Sequence, residues 1–191
     1  MVDKDTVCVI LEKPILEDGL KKYLHIMSRV HDTDVSKDID FQMDFRDFYQ
    51  MRRFYSENFA QHYFNLLQQL KDSAENMTFE MALERIKHIQ GTYEMSFSSK
   101  MLHTINPLHP IWDSVVTKQH FGIKAPYASC KNRETACCMK YKDYEDTFYD
   151  YMATDEGCMI IHMFDERFPN SGISDAKKID FVLWQDRRTG R

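Results

Sequence analysis

Between residues 96 and 116 the sequence SFSSKMLHTINPLHPIWDSVV gathers Lys100, His103, His109 and Asp113 around the chain breaks at Pro107 and Pro110. Asp113 stands at the expected start of a helix, just past the proline-containing loop, and that position gives its carboxylate two uses. It can cap the helix by accepting from a backbone amide, a role aspartate fills well. It can also hold negative charge where a cation develops on a substrate, or help activate an attacking group. The two roles are compatible. His103 and His109, six residues apart across the loop, lack the spacing of a metal pair. Trp112 reads as packing beneath the loop.

Other chemistries find little support in the spacing. Cys8, Cys130, Cys137, Cys138 and Cys158 are odd in number and match neither a C-x2-C zinc pair nor a secreted disulfide framework, so they read as reduced thiols. No metal and no cofactor is expected. No H-E-x-x-H, E-x-x-H or G-x-S-x-G pattern occurs, which disfavours an unrelated helical hydrolase.

The net charge of -5 argues against a general polyanion binder, but its distribution is uneven. Residues 1–94 carry 12 basic and 17 acidic side chains, residues 95–142 carry 7 and 2, and residues 143–191 carry 6 and 11. A middle segment of +5 thus lies between two segments of -5 each. It reads either as a solvated face or as a surface that meets phosphate, with Lys118 and Lys124 in it.

Helices must position these residues, because three- and four-residue spacing recurs along most of the chain. Leu16, Leu20, Tyr23, Leu24 and Met27 form one stripe, ended by turn signals over residues 30–38. Ser56 reads as the cap of a second helix with Phe59, Tyr63, Leu66, Leu67 and Leu70 inward. Thr78 starts a third with Phe79, Ala82, Leu83, Ile86 and Ile89, and Gly91 follows where a left-handed residue is expected. Tyr141, Tyr144, Phe148 and Tyr151 mark a fourth, and Ser174 caps a last one carrying Ile179, Val182, Leu183 and Trp184. A short N-terminal strand in the first dozen residues and a strand or buried helix at CMIIHMF are the exceptions to an all-α reading. Residues 122–139 lack clear periodicity and read as a long loop. The 191 residues are expected to form one mostly helical domain. No apolar run is long enough to span a membrane, and the N-terminal segment is unlike a signal peptide, so a cytoplasmic location is expected. The oligomeric state is not legible.

A helix from Thr78, the tight connection GTYEM and a helix from about Ser96 form a helix-hairpin-helix, followed by the Pro loop and Asp113. This order resembles the helix-hairpin-helix DNA glycosylase superfamily, nearest to the archaeal-type 8-oxoguanine DNA glycosylase/lyases. SSKMLHTINPLHPIWDSVV and the closing KIDFVLWQDRRTGR carry the likeness, over roughly residues 78–121 and 176–191. The resemblance implies a DNA repair hydrolase that binds duplex DNA and excises an oxidised, purine-like base, with Asp113 in the family's aspartate position. The family's nucleophilic lysine falls on Ser96, which cannot form a Schiff base. Asp113 and a water then stand in place of the lysine, with Lys100, one turn further on, as the candidate amine. Gly91 and Ser96 would meet DNA at the hairpin, and Trp112 and Trp184 would line the base pocket. The hairpin has one glycine and a glutamate, which weakens phosphate binding. The alternative implied by these departures is a catalytically inactive nucleic-acid-binding or protein-interaction module.

Overall fold

The computed structural model of the protein describes residues 2–51, 57–73 and 76–186, and the expected cap Ser56 and the closing residues 187–191 lie outside them. Among the described residues the regular secondary structure is helical, without strands. The helices are α1 (Lys4–Leu11), α2 (Pro14–Arg29), α3 (Ile39–Phe48), α4 (Glu57–Leu70), α5 (Phe79–Gln90), α6 (Met95–Ile105), α7 (Arg133–Met152), α8 (Asp155–Arg167) and α9 (Asp175–Gln185). A π-helical segment, Val115–His120, lies between α6 and α7.

The chain divides into two compact units, one made of Met1–Glu17 with Pro107–Arg191 and the other of Asp18–Asn106. In the unit Asp18–Asn106, an aromatic cluster of Phe41, Phe45, Tyr63 and Phe64 is fully buried, with Phe45 edge-on to Phe64 at 5.5 Å. Helix α5 packs on α4 and α6. Its N-terminus is capped as the sequence predicts, with Thr78 accepting from Met81 N, and Gly91 ends it at φ +81°. Along α2 the inward positions are Leu16, Leu20, Tyr23 and Ile26, while Leu24 is exposed. Leu24 and Ile26 flank opposite edges of the face made by Leu16, Leu20 and Tyr23, and the buried side is the one that Ile26 extends.

In the other unit α9 packs on α1, α7, α8 and the π segment. The structure corrects two readings here and decides a third that the sequence leaves open. Residues 4–11 form a helix and no N-terminal strand: Asp3 accepts from Thr6 N, and Val7, Ile10 and Leu11 turn inward. CMIIHMF lies within α8, capped by Thr154. A short apolar run fits either period, and in both places a preceding cap residue decided it. The expected loop over 122–139 ends early, because α7 begins at Arg133; its first turns bury only Cys137, so they show no stripe. Gly157 permits the tight α7–α8 turn, since a Cβ there would lie 2.2 Å from the Tyr151 carbonyl oxygen.

Candidate functional site: the clamped loop and Asp113

Five residues, Pro107 to Ile111, connect α6 to the segment bearing Asp113, and side chains hold four of their backbone carbonyls. Ser174 Oγ donates to Pro107 O at 2.7 Å while also capping α9 by accepting from Lys177 N. Tyr149 donates to Leu108 O at 3.1 Å, Tyr141 to Pro110 O at 2.8 Å and Tyr144 to Ile111 O at 3.0 Å. His109 Nδ1 lies 2.7 Å from Glu145 Oε1. An irregular loop whose carbonyls leave water must find such donors, and three turns of α7 supply them from one face. Burial pushes the Tyr141 and Tyr144 phenols well above their ordinary range, and pushes Tyr149 up to about 12. Negative charge adds to this for each: Glu145 for Tyr141 and Tyr149, and Asp180 and Asp113 among others for Tyr144. All three therefore stay protonated donors at neutral pH.

Asp113 is half-buried at the end of this loop. Its Oδ1 accepts from Val115 N at 2.8 Å, and its carbonyl accepts from Thr117 N at 2.8 Å and Thr117 Oγ1 at 2.9 Å. Asp113 thus satisfies a free amide at the start of the helical segment, although the residue at the cap position itself is Ser114, which makes no side-chain cap bond, and among the described residues no hydrogen bond falls on Oδ2. The following segment winds as a π-helix to His120, is followed by Gly122 at φ +68°, and is closed by Ile123 N returning to Thr117 O at 2.8 Å. Lys118 and Lys124 are exposed.

Trp112 is buried, edge-on to Tyr144 at 5.5 Å, so it supports the loop from within. Trp184 is half-buried in the last turn of α9, near where His120 Nε2 meets Asp186 O at 3.1 Å. Helix α9 also contains an ion pair that the sequence reading missed. Lys177 Nζ donates to Asp180 Oδ2 at 2.7 Å with both side chains buried, and the ammonium lies 4.6 Å from the Phe181 ring centroid. An i, i+3 pair of opposite charge was its only signal, and such pairs usually face water.

The other sequence-predicted residues belong to the unit Asp18–Asn106. Lys100 is buried at 9% exposure, with Nζ donating to Tyr49 O at 3.2 Å and lying 5.4 Å from the Phe97 ring centroid. That burial departs from the solvated surface position usual for a helix lysine. His103 is buried against Tyr23 OH at 3.0 Å from Nε2. At the hairpin Gly91 is exposed, Ser96 is half-buried, and the Glu94 carboxylate at the start of α6 accepts from Thr92 Oγ1 at 2.6 Å. An acidic group there opposes phosphate at that helix end. The tyrosine clamp was visible in the sequence only as the spacing of Tyr141 and Tyr144, which reads equally as core.

Among the described residues no cluster of three or more His, Cys, Asp or Glu could hold a metal ion, and no helix is long and apolar enough to cross a membrane. Comparison with protein-family models, curated proteins and solved structures finds no match to the chain.

Proposed function

We propose that the protein is a glycosylase-like DNA-binding protein that hydrolyses the bond between a damaged, oxidised purine-like base and its sugar. The observation that carries this reading is the Asp113 carboxylate: half-exposed, tethered through one oxygen, and carried on a loop clamped by side-chain donors. A carboxylate pre-positioned in this way stabilises positive charge on the sugar without reorganising. In the reaction, the bond from C1′ to the base breaks with its electron pair leaving on the base, which takes up a proton. A water oxygen bonds to C1′, and Asp113 assists its deprotonation. The target base must first leave the duplex stack. The exposed Lys118 and Lys124, in the basic middle of the chain, supply phosphate contacts. Lys100, with its amine on the Tyr49 carbonyl, takes no covalent part.

A second reading, a nucleic-acid-binding module without chemistry, is favoured by the hairpin, which has one glycine and an acidic residue, Glu94, whose carboxylate accepts from Thr92. A gel-shift and excision screen over duplexes bearing common lesions separates the two. The glycosylase reading expects salt-sensitive binding that weakens in Lys118→Glu and Lys124→Glu, and an abasic product with the strand intact. It also expects no borohydride-trapped complex. Retained DNA binding with no excision of any lesion would favour the module. A trapped complex lost in Lys100→Ala would overturn the role given to Lys100.

A further inference from the structure

Beyond the two lysines already given phosphate contacts, the segment following Asp113 exposes an aromatic ring that excision does not use. Residues 114–133 contain no acidic side chain and four basic ones, Lys118, Lys124, Lys131 and Arg133, in a protein whose net charge is -5. Lys118, Lys124 and Lys131 are all exposed, and among the described residues none of the three is in an ion pair. Between them stands Tyr127, 85% exposed, the most exposed of the large hydrophobic side chains described. Its ring meets no other aromatic ring among the described residues. The backbone holds it in place: Pro126 fixes the residue before it, and Cys130 N donates to Tyr127 O at 3.1 Å, closing a turn. Lys124 lies three positions before Tyr127, a backbone span of at most about 11 Å.

An aromatic ring kept in water exposes apolar surface that ordinary packing would cover. Exposed lysines on both sides of it in sequence, with no carboxylate within the segment, select a polyanion whose repeating unit has a flat face. A protein partner would need matching acidic side chains and an apolar cleft, whereas unpaired nucleic acid offers phosphate and an open base together. A duplex offers phosphate but keeps its base faces stacked.

We infer that residues 118–131 form a single-stranded nucleic-acid contact, in which Tyr127 stacks on one unpaired base while Lys118, Lys124 and Lys131 meet the phosphates beside it. The inference rests on the DNA-facing reading of Lys118 and Lys124 and is independent of base excision. In a repair setting such a contact would hold a strand that is already open.

Fluorescence anisotropy with a labelled oligothymidylate of about 12 nucleotides and a duplex of equal length tests it. Wild type should bind the single strand, with affinity falling as salt rises by a slope near -0.7 per phosphate engaged. Tyr127→Ala should weaken single-strand binding by about 5- to 100-fold, the effect of one lost stacking platform, and at least fivefold more than it weakens duplex binding. Tyr127→Phe should stay within about twofold, since the ring is what stacks. Equal binding by wild type and Tyr127→Ala, or no binding of the oligothymidylate by wild type, overturns the inference. Single-strand binding that shows this pattern in a protein with no excision activity upholds it while removing the glycosylase reading.

Discussion

Two consecutive loops of one unit, residues 107–113 and 121–132, handle their polar backbone in opposite ways. The first gives carbonyls to hydroxyls of Ser174, Tyr141, Tyr144 and Tyr149, and buries Ile111 and Trp112. The second is mostly exposed, with the turn bond from Cys130 N to Tyr127 O and the closing bond from Ile123 N to Thr117 O. A loop fixed by side chains from α7 and α9 can hold a carboxylate within a narrow range of positions. A loop left to water can adapt to an extended ligand. The difference assigns positioning to the first and contact to the second, and substitutions in the two should separate in size of effect.

The largest effect is expected beneath the clamped loop. Asp180→Ala removes the carboxylate from a buried ammonium, and breaking a buried pair in this way costs about 3–5 kcal/mol. Chemical denaturation should show that loss, and replacing Lys177 and Asp180 together by apolar residues should recover much of it. Next in size, Tyr144→Phe takes the donor from the buried Ile111 carbonyl and should cost about 1–3 kcal/mol. At roughly 2–4 °C per kcal/mol for a chain of this size, the Tm falls by several degrees. Tyr149→Phe, at an exposed bond, should cost less. On the open loop, Tyr127→Ala and Lys124→Glu should stay within about 0.5 kcal/mol of wild type. Equal losses in both loops would break the comparison.

The same clamp fixes an alkaline limit. The phenols of Tyr141, Tyr144 and Tyr149 are held protonated in the folded protein beyond the ordinary value near 10, and Tyr149 to about 12. Above pH 10 the unfolded chain releases these protons before the folded one does. Their contribution is therefore whole below pH 10 and is lost as pH rises toward 12 and beyond. Ultraviolet titration should show at least three of the ten tyrosines ionising late or only with unfolding. Late ionisation that persists unchanged in the triple Phe variant would contradict the assignment.

Much of the helix content was legible because its signals are local. Thr78 and Ser174 were read as caps, Gly91 as a left-handed end, and Phe79, Ala82, Leu83 and Ile86 as one face, and the structure has each. Helices α6 and α9 were legible as helices but not as buried ones. Ser98, Ser99, Lys100, His103 and Thr104 in α6, and Lys177, Lys178 and Asp180 in α9, are buried polar residues. Periodicity assigns polar side chains to water, and their partners lie up to 80 residues away, as Tyr23 does from His103. Helix α1 failed for a different reason, since eight residues hold too few turns to separate the two periods. For Asp113 the position at a helix start was legible, and its Oδ1 accepts from Val115 N. The clamp behind it depends on α7 lying alongside the loop, a tertiary fact that no spacing within residues 96–116 contains.

The most direct test of the central claim is the single-turnover excision rate of Asp113→Asn on a lesion the wild type processes. Asparagine caps a helix about as well as aspartate, so the variant should keep its Tm, whereas Asp113→Ala should lose about 0.5–2 kcal/mol. Without the charge that offsets a sugar cation, Asp113→Asn should bind DNA at least as tightly as wild type and excise about 100-fold or more slowly. An Asp113→Asn protein that excises at the wild-type rate would show that the aspartate only caps its helix.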